Sequence, residues 1–113
     1  MLERATRANL LYDFYGPLLS EKQRELFELY YHDDLSLGEI AETHDISRQG
    51  IYDNIKRTEK TLEDFESKLQ LYDKYLVRES VYMQLIQQIT TTAMSVEERQ
   101  ACMQLIEMLQ MNE

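Results

Sequence analysis

The sequence predicts an all-α protein: a helix-turn-helix headpiece, a long helix and a C-terminal helical extension. Three observations carry that reading. Apolar side chains recur at three- and four-residue intervals, and no stretch alternates with period two for long. Serine precedes Gln or Glu by three residues at Ser20/Gln23, Ser36/Glu39 and Ser95/Glu98, the reciprocal pattern that satisfies two open amide groups at a helix start. Gly16, Pro17, Gly38 and Gly50 are the only glycine and proline residues, so nothing from Ile51 to Glu113 punctuates a helix in that way.

The first helix is expected from about Ala5 to Tyr15, with Leu11, Tyr12, Phe14 and Tyr15 supplying apolar surface before Gly16-Pro17 stops it. The second starts at Ser20 and gathers Leu26, Phe27 and Tyr30 on one face, until His32-Asp33-Asp34 breaks it. Ser36 opens a short helix through Ile40 and Ala41 to His44, and Ser47 caps the next. There Ile55, Thr58, Leu62, Phe65, Leu69, Tyr72 and Leu76 fall in near-heptad order. The spacing predicts one helix from Ser47 to Leu76, roughly 45 Å long at 1.5 Å per residue. Such a stripe serves equally as a packing face within the chain or as the coiled-coil seam of a homodimer.

Past Leu76 the phase changes, because Glu79 falls where the next apolar residue is due. Val81, Tyr82, Leu85, Ile86 and Ile89 define a differently facing helix, weakened at Thr90-Thr91-Thr92. Ser95 caps a last helix bearing Val96, Cys102, Leu105, Ile106 and Leu109. Its Met103, Met108 and Met111 suit either a core or an adaptable partner surface. The expected division is a headpiece at 1–60 and an extension at 61–113 that packs on it or forms a dimer.

Composition narrows the function classes. At 113 residues a core can form without disulfides or metals, and the lone Cys102 allows no intrachain disulfide. Glu3, Arg4 and Arg7 interrupt the first residues, and no apolar run approaches the roughly 20 residues that span a bilayer. No membrane span and a cytoplasmic location are expected. The net charge is −9, with 8 Lys/Arg against 12 Asp/Glu in residues 1–60 and 4 against 9 thereafter. Any nucleic-acid surface is therefore a local basic patch on an acidic molecule.

Catalytic chemistry finds little purchase. His32 and His44 stand apart from any ligand cluster, and Cys102 lies on an apolar helical face. Asp33-Asp34 and Glu97-Glu98 suit solvated helix ends, and no glycine-rich phosphate loop occurs. No enzyme, catalytic residue, cofactor or metal is expected.

The informative segment is SLGEIAETHDISRQGIYDNIKRTEK, residues 36–60. Small Ala41 lets two helices approach, Asp45 takes the tight turn, and Ile46, Ile51 and Ile55 point into the junction. A plain helical hairpin in a small core is the competing reading. The turn position favours glycine because the chain is left-handed there. Gly50 costs about 1 kcal/mol inside a helix, which close approach of the two backbones would justify. If Ser47 opens a recognition helix, Arg48, Gln49, Tyr52, Asp53 and Lys56 form its exposed face. Arg48 and Gln49 are then placed to meet base edges and Lys56, Arg57 and Lys60 to meet phosphates, with Ser47 and Tyr52 completing the candidate nucleic-acid-binding set. An ordinary solvated face is the alternative, and Asp53 would repel phosphate.

Residues Leu18 to Leu62 resemble the DNA-binding fourth region of bacterial sigma factors, which also sets a supporting helix before its helix-turn-helix. With the flanks NLLYDFYGPLLSEKQRELFELYYHDDLSLGEIAE, SRQGIYDNIKRTEKTLEDFESKL and LYDKYLVR included, the chain resembles the YlxM family of small bacterial helix-turn-helix proteins from Arg7 to Arg78. The most specific part is Ser47-Arg48-Gln49 with Tyr52 to Lys60. The chain departs from the family pattern at Gly50, where an alanine-like residue is expected, and at His44-Asp45, where a bulky apolar residue and glycine are usual. The resemblance implies a winged-helix-like, sigma region-four-like headpiece. It further implies a regulatory or accessory role in the signal recognition particle pathway, with a particle protein or its RNA as partner. The alternative is a sequence-specific DNA-binding transcriptional regulator.

Overall fold

The computed structural model describes residues 2–113, with side chains from residue 7 onward. Among the described residues six α-helices follow one another: α1 Leu2–Tyr15, α2 Glu21–Tyr31, α3 Leu37–His44, α4 Arg48–Leu69, α5 Leu71–Thr91 and α6 Val96–Met111. A 3₁₀ turn, Gly16–Leu18, joins α1 to α2. There is no strand among the described residues, so the expected winged-helix-like character is not realised: nothing is present to build a wing.

Local chemistry sets the helix starts. Ser20 Oγ accepts from Gln23 N at 3.2 Å while Gln23 Oε1 accepts from Ser20 N at 3.1 Å. The same reciprocal pair forms at Ser36/Glu39 and at Ser95/Glu98. Gly16 lies under the Tyr12 ring, where a Cβ would sit 3.2 Å from Cζ. A side chain there would oblige the Tyr12 ring to give by a few tenths of an ångström.

Two compact units divide the chain, one running to Tyr72 and the other from Asp73 to Glu113. In the first, α4 packs on α1, α2 and α3. One cluster of its core joins Ala8, Leu11, Tyr12, Tyr15, Leu19, Phe27 and Leu62. The other joins Leu26, Ile40, Ile51 and Ile55, with Ala41 and Ile46 packed against it. Ile55, Thr58 and Leu62 are buried, and Phe65 and Tyr72 pack on the first cluster. The near-heptad stripe is thus mainly a packing face within the chain, because three other helices compete successfully for it.

The predicted 30-residue helix is interrupted. α4 ends at Leu69, Gln70 takes a left-handed conformation with φ 54° and ψ 32°, and α5 begins at Leu71. The cause lies far away in sequence. Glu66, only 4% exposed, accepts from Tyr15 Oη at 2.5 Å and from Tyr72 N at 3.0 Å. Tyr15 Oη in turn accepts from Leu71 N at 3.1 Å. Two amides left open by a fresh helix start therefore find buried partners, which offsets the strain at Gln70.

In the second unit, Tyr82, Ile89 and Ile106 form the core, with Ile86, Met94, half-buried Cys102 and Met103 against it. Arg99 closes the end of α5 by donating Nε to Ile89 O and Nη2 to Thr92 O, both at 3.2 Å. Met108 and Met111 stay exposed, as do Val81, Leu85, Val96, Leu105 and Leu109. No helix among the described residues is long and apolar enough to cross a membrane.

The helix-turn-helix junction bears two predictions. Asp45 is left-handed, with φ 52° and ψ 40°. Asp45→Gly removes a Cβ penalty of about 1–2 kcal/mol, partly cancelled by the greater unfolded-state entropy of glycine. A net gain somewhat under ~1 kcal/mol is expected, read from the urea midpoint. At Gly50 a Cβ would stand 2.8 Å from Ile46 Cγ2 and 3.1 Å from Ser47 Oγ. A side-chain methyl of the turn, rather than a neighbouring backbone, is what demands glycine. Gly50→Ala gains about 1 kcal/mol of helix propensity but overpacks by about 1–3 kcal/mol, so the melting temperature should fall.

Candidate nucleic-acid interface

Recognition by a helix-turn-helix requires that the second helix be held firmly at its start and left open along its outer face. The start of α4 is held in three ways. Asp45 reverses the chain, Ser47 Oγ accepts from Gly50 N at 3.0 Å, and Ile46 packs in the same cluster as Ile51. The last pair brackets the cap as a hydrophobic staple. His44, the final residue of α3, adds a tie to α2 through Nε2 and Glu25 Oε1 at 2.9 Å. That contact holds the exposed Glu25 carboxyl below its ordinary pKa.

Ser47, Arg48, Gln49, Tyr52, Arg57 and Lys60 are exposed, and Lys56 is partly so. Gln49, Asp53 and Lys60 lie opposite the buried line of Ile51, Ile55, Thr58 and Leu62. Arg48 and Arg57, nine residues apart, differ by about 180° in helical phase, so Arg57 borders that outer face while Arg48, in the first turn, lies on the side nearer the buried line. Leu37 from α3 joins Arg48, Gln49 and Tyr52 around an open depression.

The seven candidate residues are not equivalent. Lys56 keeps one third of its side-chain exposure, with Nζ 3.3 Å from Glu59 Oε2 and 5.4 Å from the Tyr52 ring centroid. Glu59 also accepts a hydrogen bond from Tyr31 Oη on α2. Lys56 is therefore partly committed to the headpiece, whereas Arg48, Arg57 and Lys60 have no acidic partner among the described residues. Gln49 Nε2 donates to Asp53 Oδ1 at 2.9 Å, so the face contains an amide–carboxylate pair. The i,i+4 spacing of Gln49 and Asp53 and the i,i+3 spacing of Lys56 and Glu59 were available signals for both contacts; the Tyr31 partner had none.

Elsewhere the titratable groups have structural settings. His32 meets the rings of Tyr12 and Phe27 edge-on. No group of three or more His, Cys, Asp or Glu among the described residues could hold a metal ion.

Residues 2–106 match the model of a family described as "Putative helix-turn-helix protein, YlxM / p13 like". A UPF0122 protein of Bacillus thuringiensis (strain Al Hakam) is 51% identical over 109 residues, covering 96% of this chain and 99% of the relative. UPF0122 proteins of Bacillus cereus strains AH187 and G9842 match with the same identity and coverage. With its capped turn, its stapled second helix and similarity along nearly its whole length, the chain belongs to the UPF0122 family of YlxM / p13-like helix-turn-helix proteins.

Proposed function

We propose that this protein is a regulatory helix-turn-helix protein that docks on duplex DNA through the outer face of α4, from Ser47 to Lys60. The observation that carries the reading is the exposure of Arg48, Arg57 and Lys60 without acidic partners among the described residues, on a helix anchored at its start in the headpiece core. Arg48 and Arg57 lie on opposite sides of α4 and suit the two phosphate strands that border a major groove. Gln49 and Tyr52 lie near the helix start, where base edges are met.

Three phosphate contacts set the expected salt dependence. The binding constant should fall with a log–log slope of about −3 per chain, and Arg48→Ala should weaken binding roughly tenfold. Fluorescence anisotropy of a labelled duplex across a salt series measures both. Affinity indifferent to salt and to Arg48→Ala would overturn the reading.

A second reading follows the family resemblance: an accessory protein of the signal recognition particle pathway, acting in the cytoplasm on a particle protein or its RNA. The net charge of −9 and the exposed Val77, Val81, Met83, Leu105 and Met108 favour it, since an acidic body with apolar surface suits a protein partner better than DNA. A pull-down read for particle components tests it. Recovery of DNA fragments alone would contradict it.

A further inference from the structure

We propose that Asp53 is a specificity-determining residue of this face and that it selects a cytosine in the major groove. The inference rests on the DNA-binding reading above and sharpens it.

Asp53 stands at the centre of the outer face, one turn beyond Gln49 and beside Arg57. A carboxylate there is repelled by phosphate and has no salt bridge to Lys56, Arg57 or Lys60. What it does have is Gln49, whose Nε2 holds Oδ1 at 2.9 Å. Oδ2 has no hydrogen-bond partner among the described residues. The face thus presents an oriented, acceptor-only group at its middle.

On a face docked against DNA, an acceptor-only group is repelled by the backbone and is matched by a donor on a base edge. Two such donors face the major groove, the exocyclic amines of cytosine and adenine. Adenine sets its N7 acceptor beside the amine, so the second carboxylate oxygen meets a lone pair. Cytosine offers the amine without that acceptor. An acceptor-only group therefore favours cytosine, whereas an amide, which both donates and accepts, matches adenine.

Selection from a pool of randomised duplexes, run with the full chain and with Asp53→Asn and Asp53→Ala, tests this. The unmodified protein should enrich a motif with one cytosine preferred by about tenfold or more, the scale of one good base contact. Asp53→Asn should change that letter to adenine and leave the neighbouring letters alone. Asp53→Ala should erase the preference there while binding persists. Asp53 is exposed, and melting curves of all three proteins should coincide closely. An identical motif from all three would overturn the role of Asp53 while leaving DNA binding intact. Failure of every form to enrich any motif would overturn the sequence-specific reading together with it.

Discussion

Phe27→Ala is expected to destabilise the protein by about 4 kcal/mol, toward the upper end for a single core truncation. Phe27 has no exposed surface. Its ring stacks on Tyr12 with centroids 4.5 Å apart and planes 6° from parallel, and meets Tyr31 at 4.4 Å. Truncation would lose the transfer energy of the ring and leave a cavity between α1 and α2. It would also break aromatic pairs worth about 0.5–1.5 kcal/mol each. Against a total stability of roughly 5–15 kcal/mol for a protein of this kind, a fall of that size brings the midpoint of urea unfolding down steeply. Phe27→Leu, which keeps most of the volume, should cost much less. A shift below about 1 kcal/mol for Phe27→Ala would show that this ring is not the pivot of the first core cluster.

The second large effect concerns Glu66. Its carboxylate is buried and accepts from Tyr15 Oη and from the amide of Tyr72. Glu66→Ala would leave both donors buried beside a void, and orphaned buried donors cost about 1–3 kcal/mol each. A loss of about 3 kcal/mol is expected, with a local signature beyond the global one. Hydrogen exchange at Leu71 and Tyr72 should rise by tenfold or more relative to Ile40 and Ile51, because the start of α5 loses the groups that hold it. Tyr15→Phe should accelerate Leu71 in particular, since its amide bonds the phenol oxygen. Unchanged exchange at those two amides would mean that the interruption at Gln70 has another cause.

These two sites show where sequence reading succeeded and where it could not. Helix starts at Ser20, Ser36, Ser47 and Ser95 were legible because cap and partner lie within three residues of each other. The turn at Asp45 was legible because the chain must reverse between two apolar periods. The end of α4 was not. A smooth near-heptad pattern runs through Gln70, and the decisive partners, Tyr15 and Glu66, are 51 residues apart. Among the described residues, the left-handed non-glycine positions, Asp34, Asp45 and Gln70, lack the glycine that usually announces them, and no glycine is left-handed. Gly50 was readable as a constraint, but its agent, the Ile46 methyl group, was not.

The candidate interface divides in the same manner. Exposure of Gln49, Tyr52, Arg57 and Lys60 follows from helical phase once Ile51, Ile55, Thr58 and Leu62 are assigned inward, whereas Arg48 falls close to that line in phase and is nonetheless exposed in the first turn. The partial withdrawal of Lys56 depends on Glu59, which Tyr31 holds from α2. Net charge alone argues against a DNA-binding proposal; Arg48, Arg57 and Lys60, without acidic partners among the described residues, are what supports it locally.

The most direct test is a backbone amide NMR titration of the full chain with a mixed-sequence DNA duplex at low salt. Shift changes should concentrate at Ser47 to Lys60, reverse as salt is raised, and spare Asp73 to Glu113. Perturbations confined to α5 and α6, or none at all at low salt, would contradict the claim that the outer face of α4 is the nucleic-acid interface.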